Sequence, residues 1–178
     1  MSQDDQRRSL VKILRLAYSG ERAAAYAYRG HWKSVTDACE RSRIKAIEEE
    51  EWRHRELVGG MLEKLGSRPG RWREAKAFVV GRTLGFLCHL SGWFAPMYGA
   101  GKLESRNVKE YEAAARYARG CERVEFVECL LAMAEVEWEH EKYFRTQVSK
   151  HFMSRYLPVW QAPPPKETIR GSFIREGA

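Results

Sequence analysis

Residues 47–54 read IEEEEWRH: one apolar residue, four consecutive glutamates, then Trp52, Arg53 and His54. On a surface helix a run of acids is a solvated face, so the fold turns on whether any of these acids falls on the apolar stripe. That stripe runs Ile44, Ile47, position 51, position 54, Val58, Met61 and Leu65, in steps of three and four residues. Positions 51 and 54 are Glu51 and His54, polar residues in seats that the helical period reserves for the core. Glu48 and Glu49 are expected on the outer faces, and Glu50 at the edge.

The same spacing recurs along the chain. A first helix over residues 6–31 carries Leu10, Leu14, Ala17, Glu21, Ala24 and Tyr28 on one face. The KSVTD stretch that follows offers Ser, Thr and Asp as caps for a second helix over 37–65, which stops at Gly66, a residue suited to a left-handed terminus. After the break GSRPGRW comes an apolar stretch, 74–97, containing FVVGRTLGFLCHLSGWFAPM. Arg82, His89, spaced glycines and Pro96 argue against a membrane span and for a helix packed on the other helices or lying in a bilayer interface. Gly99 and Gly101 are expected to bend or break the chain.

A further helix over 102–118 presents Glu104, Val108, Tyr111, Ala115 and Ala118, and the last long one, 121–150, presents Phe126, Leu130, Met133, Glu137, His140, Phe144 and Val148. The C-terminal LPVWQAPPPKETIRGSFIREGA is proline-rich without helical period and reads as an extended tail. The expected organisation is an all-α bundle over 1–152 followed by a tail over 153–178.

Every ligand-bearing stripe therefore holds an acid, and two hold a histidine three residues after it. Burying four carboxylates and two imidazoles uncompensated costs several kcal/mol per ion, comparable to the whole stability of a domain this size. Divalent cations remove that cost. Glu at i and His at i+3 lie on one helical face and can offer a carboxylate oxygen and an imidazole nitrogen to one ion. The order Glu21, Glu51xxHis54, Glu104, Glu137xxHis140 is similar to that of ferritin-like di-iron and di-manganese bundles. Mixed carboxylate and imidazole donors suit iron, with manganese the alternative, so two iron ions are the expected cofactor. His31, His89 and His151 lack this context.

Composition excludes other classes. The net charge of +7 is scattered among acids rather than clustered, which argues against a nucleic-acid partner. Cys39, Cys88, Cys121 and Cys129 form no CxxC pair, which fits reduced thiols in the cytoplasm.

At these residues the chain resembles the demethoxyubiquinone hydroxylases, a ferritin-like di-iron family, over roughly residues 14–144. GERAAAYAYRGHW carries the resemblance in Gly20, Glu21, Tyr28 and Gly30. Glu51 with His54, the RPGRW segment and the glycine-containing apolar helix before Glu104 are similar in order. Rubrerythrin's CxxC module is absent. The resemblance implies an oxygen-dependent monooxygenase acting on a hydrophobic, quinone-like aromatic ring, with dioxygen and an electron donor as partners. It also implies peripheral contact with a membrane, at the inner face of the cytoplasmic membrane, through the apolar helix. A homo-oligomer is the expected assembly. Tyr111 matches a tyrosine of the family's third ligand helix, whereas Glu110 stands where the family has histidine, and Tyr18-Ser19 where it has Asp-His. Tyr111 and Glu110 are the candidate catalytic residues. A rubrerythrin-like peroxidase or a ferroxidase would use the same ligands.

Overall fold

The computed structural model describes residues 1–175, and among them there is no strand. The helices are α1 (Gln3–Ser34), α2 (Ala38–Lys64), α3 (Arg71–Leu87), α4 (Phe94–Gly120), α5 (Val124–Lys150) and α6 (Glu167–Arg175), with a 3-10 turn at Phe152–Arg155 before α6. The all-α, ferritin-like class expected from periodicity is the class observed. The chain divides into two compact units, one of residues Val11–Pro96 and one of Met1–Leu10 with Met97–Ala178.

In the Val11–Pro96 unit, Asp37 caps α2 by accepting the Glu40 amide at 2.8 Å. Gly66, at φ 65°, closes the other end, with its own amide bonded to the Glu63 carbonyl and that of Ser67 to the Leu62 carbonyl. That paired pattern satisfies carbonyls the last turn would leave orphaned. The apolar helix α3 buries only Ala77, Gly81 and Gly85, spaced four apart. This narrow stripe lets α3 approach α1 backbone to backbone: a Cβ at Gly81 would lie 2.5 Å from the Ala23 carbonyl oxygen, and one at Gly85 2.7 Å from that of Tyr26. The wider apolar face is left in solvent, with Phe86 62% exposed and Trp72 90%. No helix among the described residues is long and apolar enough to cross a membrane.

The chain breaks at 88–93, not at Gly99 or Gly101. Both glycines lie inside α4, and Pro96 sits in its first turn, where no intrahelical donor is lost. In the second unit Gly101 serves packing: a Cβ there would fall inside the Trp160 ring and 2.9 Å from Cβ of Phe144. The C-terminal segment is likewise not simply extended. It forms α6 and is strapped to α5 by Trp138 Nε1, which donates to the Pro164 carbonyl at 2.8 Å, and by Arg170, bonded to Glu128 and Glu135. Helix formation there follows Thr168, whose amide and hydroxyl both bond the Pro165 carbonyl, at 2.9 and 2.6 Å, and fix the first turn.

Candidate metal centre

Each unit carries a buried triad of two carboxylates and one imidazole. In the Val11–Pro96 unit α1 supplies Glu21 and α2 supplies Glu51 and His54, and each brings one donor atom within 4.8 Å of the others. In the second unit α4 supplies Glu104 and α5 supplies Glu137 and His140, again with donor atoms within 4.8 Å of one another. All six side chains are 3% exposed or less. Carboxylates buried this deeply demand positive charge or hydrogen-bond donors.

Within the second triad, Glu137 Oε2 lies 3.6 Å from His140 Nδ1, too far for a hydrogen bond and a spacing at which one ion can bind both. Asn107, one turn after Glu104, donates its Nδ2 to Glu104 Oε2 at 2.8 Å and, at 3.5 Å, to Glu137 Oε2. Asn107 thus holds two carboxylates of different helices in register. It did not stand out in the sequence because a half-buried amide breaks no apolar period.

Tyr111 is buried on α4, and its neighbour Glu110 is half-buried. Burial pushes the Glu110 carboxyl above the usual range; Arg106 opposes the shift and the charge of Glu137 adds to it. Glu110 is therefore in electrostatic reach of the second triad without belonging to it. Tyr28 is buried on α1, its ring centroid 6.4 Å from that of His31. His31 is itself buried, which lowers its pKa to about 4 and keeps the imidazole neutral.

Two buried acids beside the triads escaped the sequence reading. Glu48, expected on an outer face, is 6% exposed. It accepts from Arg29 Nε at 2.7 Å, Trp32 Nε1 at 2.7 Å and Trp52 Nε1 at 3.2 Å. Glu49 is exposed and Glu50 intermediate, as expected. The error at Glu48 has a physical cause: the core-facing arc of a long helix wrapped by neighbours is wider than a single stripe, and a cation from α1 makes an acid tolerable on its flank. Glu141, fully buried on α5, accepts from Arg145 Nε at 2.8 Å and from Trp160 Nε1 at 2.7 Å. The i to i+4 spacing of Glu141 and Arg145 was legible, whereas the Trp160 contact spans nineteen residues and a turn. No disulfide joins any of the four cysteines.

An all-α fold with buried triads of carboxylates and imidazole, two Glu-x-x-His turns among them, defines the class of ferritin-like di-metal carboxylate proteins. Residues 8–117 match the family model of ubiquinone biosynthesis protein COQ7, and the chain belongs to that family. Its members are di-iron hydroxylases of ubiquinone biosynthesis. The matched span contains Glu21, Glu51, His54, Glu104, Glu110 and Tyr111 and ends before Glu137 and His140. No match was found among curated proteins or among solved structures.

Proposed function

We propose that Glu21, Glu51, His54, Glu104, Glu137 and His140 together hold two iron ions, and that the protein hydroxylates a hydrophobic, quinone-like aromatic ring with dioxygen. The observation that carries this reading is the pair of buried triads in a chain of the COQ7 family. The donor set fits the metal: oxygen and imidazole nitrogen ligands without thiolate favour iron or manganese over softer ions, and two dications balance four carboxylates. When bound, such a metal pair would supply the activation of dioxygen, with two electrons drawn from an external reductant, one oxygen atom passing to the ring and the other leaving as water. The chain's own residues arrange that chemistry. Asn107 orients Glu104 and Glu137, the dry surroundings exclude bulk water, and buried Tyr111 with its half-buried neighbour Glu110 is assigned the proton movement at the site.

The substrate is poorly soluble in water, and the outer face of α3 is the route we assign to it. Val79, Val80, Leu84, Phe86 and Leu87 are exposed there beside Arg82, a composition suited to the headgroup boundary of an anionic bilayer. Flotation with anionic vesicles is expected to carry the protein upward. The double substitution Leu84→Ser, Phe86→Ser should abolish flotation while changing folding stability by no more than about 0.5 kcal/mol, because both side chains are already in solvent. Flotation unchanged in that variant removes α3 from the membrane contact.

The function is tested by elemental analysis after growth with iron and manganese both available, followed by oxygen-uptake measurements with a reductant. Two metal equivalents and uptake stimulated by a quinone-type phenol are the expected results. Uptake stimulated only by hydrogen peroxide or by ferrous ion replaces the hydroxylase with a peroxidase or a ferroxidase on the same ligands. Metal-free protein ends the reading altogether.

A further inference from the structure

The C-terminal segment lies beyond the span matched by the family and beyond the last ligand, yet it reaches back to the turn that carries Glu137 and His140. Trp160 is the point of contact. Its indole occupies the space over Gly101, against Phe144, and meets Tyr98 edge-on with ring centroids 5.4 Å apart. Tyr98 in turn donates its hydroxyl to the Pro158 carbonyl at 3.0 Å, two residues before Trp160. The indole Nε1 donates to Glu141 Oε1 at 2.7 Å.

Three facts converge on this contact. Glu141 directly follows His140 and lies one turn after Glu137, so whatever fixes its carboxylate fixes the turn that holds both donors. Glu141 is fully buried, and while Oε1 receives Trp160 and Arg145, Oε2 is buried without a hydrogen-bond partner. A carboxylate so placed has no donor to spare. Finally, Gly101 lies three residues before Glu104 on the same face of α4, so the indole seated on it touches the helix faces that present all three donors of the second triad. A methyl group at position 101 would exclude the ring.

We infer that Trp160 is a positioning residue for the Glu104, Glu137 and His140 triad: it clamps Glu141 through its indole N–H and sets the spacing of α4 and α5 at Gly101. This inference rests on the two-metal reading above. The strap that delivers Trp160 is anchored on both sides of it, before it by the Tyr98 hydroxyl on the Pro158 carbonyl and after it by Trp138 on the Pro164 carbonyl and a Lys166–Glu139 ion pair at 2.9 Å. Partners that orient metal ligands commonly contribute 10- to 100-fold in metal affinity without touching the ion.

Cobalt(II) alone serves as the probe. The full chain, as wild type, Trp160→Phe and Trp160→Ala, is stripped with chelator, checked for folding by its apo melting curve, and titrated with cobalt while the visible ligand-field bands are followed. The wild type is expected to take up two equivalents in two steps. Trp160→Phe keeps a ring over Gly101 but loses the donor, and should weaken one step about 10-fold; Trp160→Ala should weaken the same step by up to about 100-fold and change its band shape, leaving the other step in place. If the indole acts through Glu141, Trp160→Phe added to Glu141→Gln should weaken cobalt binding no further than Glu141→Gln alone. A folded Trp160→Phe that binds both equivalents as the wild type does, whatever its melting temperature, overturns the inference and leaves the two-metal reading standing. A wild type that binds no cobalt overturns both.

Discussion

The two units neutralise a buried acid beside their triads with the same chemistry from different places. In the Val11–Pro96 unit, Glu48 lies one turn before Glu51 and is met by a guanidinium and two indoles, of Arg29, Trp32 and Trp52, all from α1 and α2. In the other unit, Glu141 lies one turn after Glu137 and is met by one guanidinium and one indole, of Arg145 and Trp160, the second arriving from the C-terminal segment. The first cage is local and redundant; the second is thin and depends on a segment distant in sequence. Buried carboxylates that have such cages need no metal. Those of the triads, packed within 4.8 Å of an imidazole and a second acid, are where a cation could be held.

The largest effect that can break this contrast is removal of a triad member. Glu51→Ala and His140→Ala are each expected to cost a full metal equivalent by elemental analysis, while neither Glu48→Gln nor Arg29→Leu should cost any. Two metals retained in both alanine variants would show that the ligands lie elsewhere.

Next in size is the cage itself. Arg29→Leu leaves Glu48 buried with only the two indoles, and about 2 kcal/mol of stability should be lost in urea denaturation, in the range of a hydrogen bond to a charged group. Part of the ion-pair energy is already screened, since Arg29 is 40% exposed. Trp32→Phe leaves Arg29 and Trp52 in place and should cost only about 1 kcal/mol, without change in metal affinity. Loss of metal on Trp32→Phe would mean the first cage is no more redundant than the second.

A last effect, read as a slope in pH, separates metal-independent burial from the triads. His31 is buried neutral with its pKa lowered to about 4 from an ordinary 6.5. Between those values the unfolded chain binds the proton and the folded chain does not, so stability falls as pH drops from 6.5 toward 4. The slope from this group is at most about 1.4 kcal/mol per pH unit. In metal-free protein, His31→Gln should flatten the acid limb of the melting-temperature profile relative to wild type. An unchanged limb would show that the folded state already accommodates the charged imidazole.

How much of this was legible follows from where each partner lies. Glu51 with His54 and Glu137 with His140 are three residues apart on one helix, so periodicity alone displayed them, and Glu21 and Glu104 appeared as single acids interrupting apolar stripes. Asp37 and Gly66 were legible because caps are local chemistry. Glu48, Asn107, Glu141 and Trp160 were not, because what decides their role is a donor or a cavity contributed by another segment. The apolar stretch after GSRPGRW misled for a related reason: its hydropathy suggested where the helix is greasy, whereas Gly81 and Gly85 decided which side packs.

By itself, then, the sequence determined the four ligand-bearing helices, the apolar stripes along them and the six acids and imidazoles that those stripes present, because a 3.6-residue repeat is written along one chain. Only the tertiary structure decided which buried acids are caged by guanidinium and indole, that α3 turns its small residues inward and its large ones out, and that the proline-rich end folds into α6 and delivers Trp160 to Glu141. Those outcomes depend on distances between segments far apart in sequence, and no periodicity within one segment encodes them.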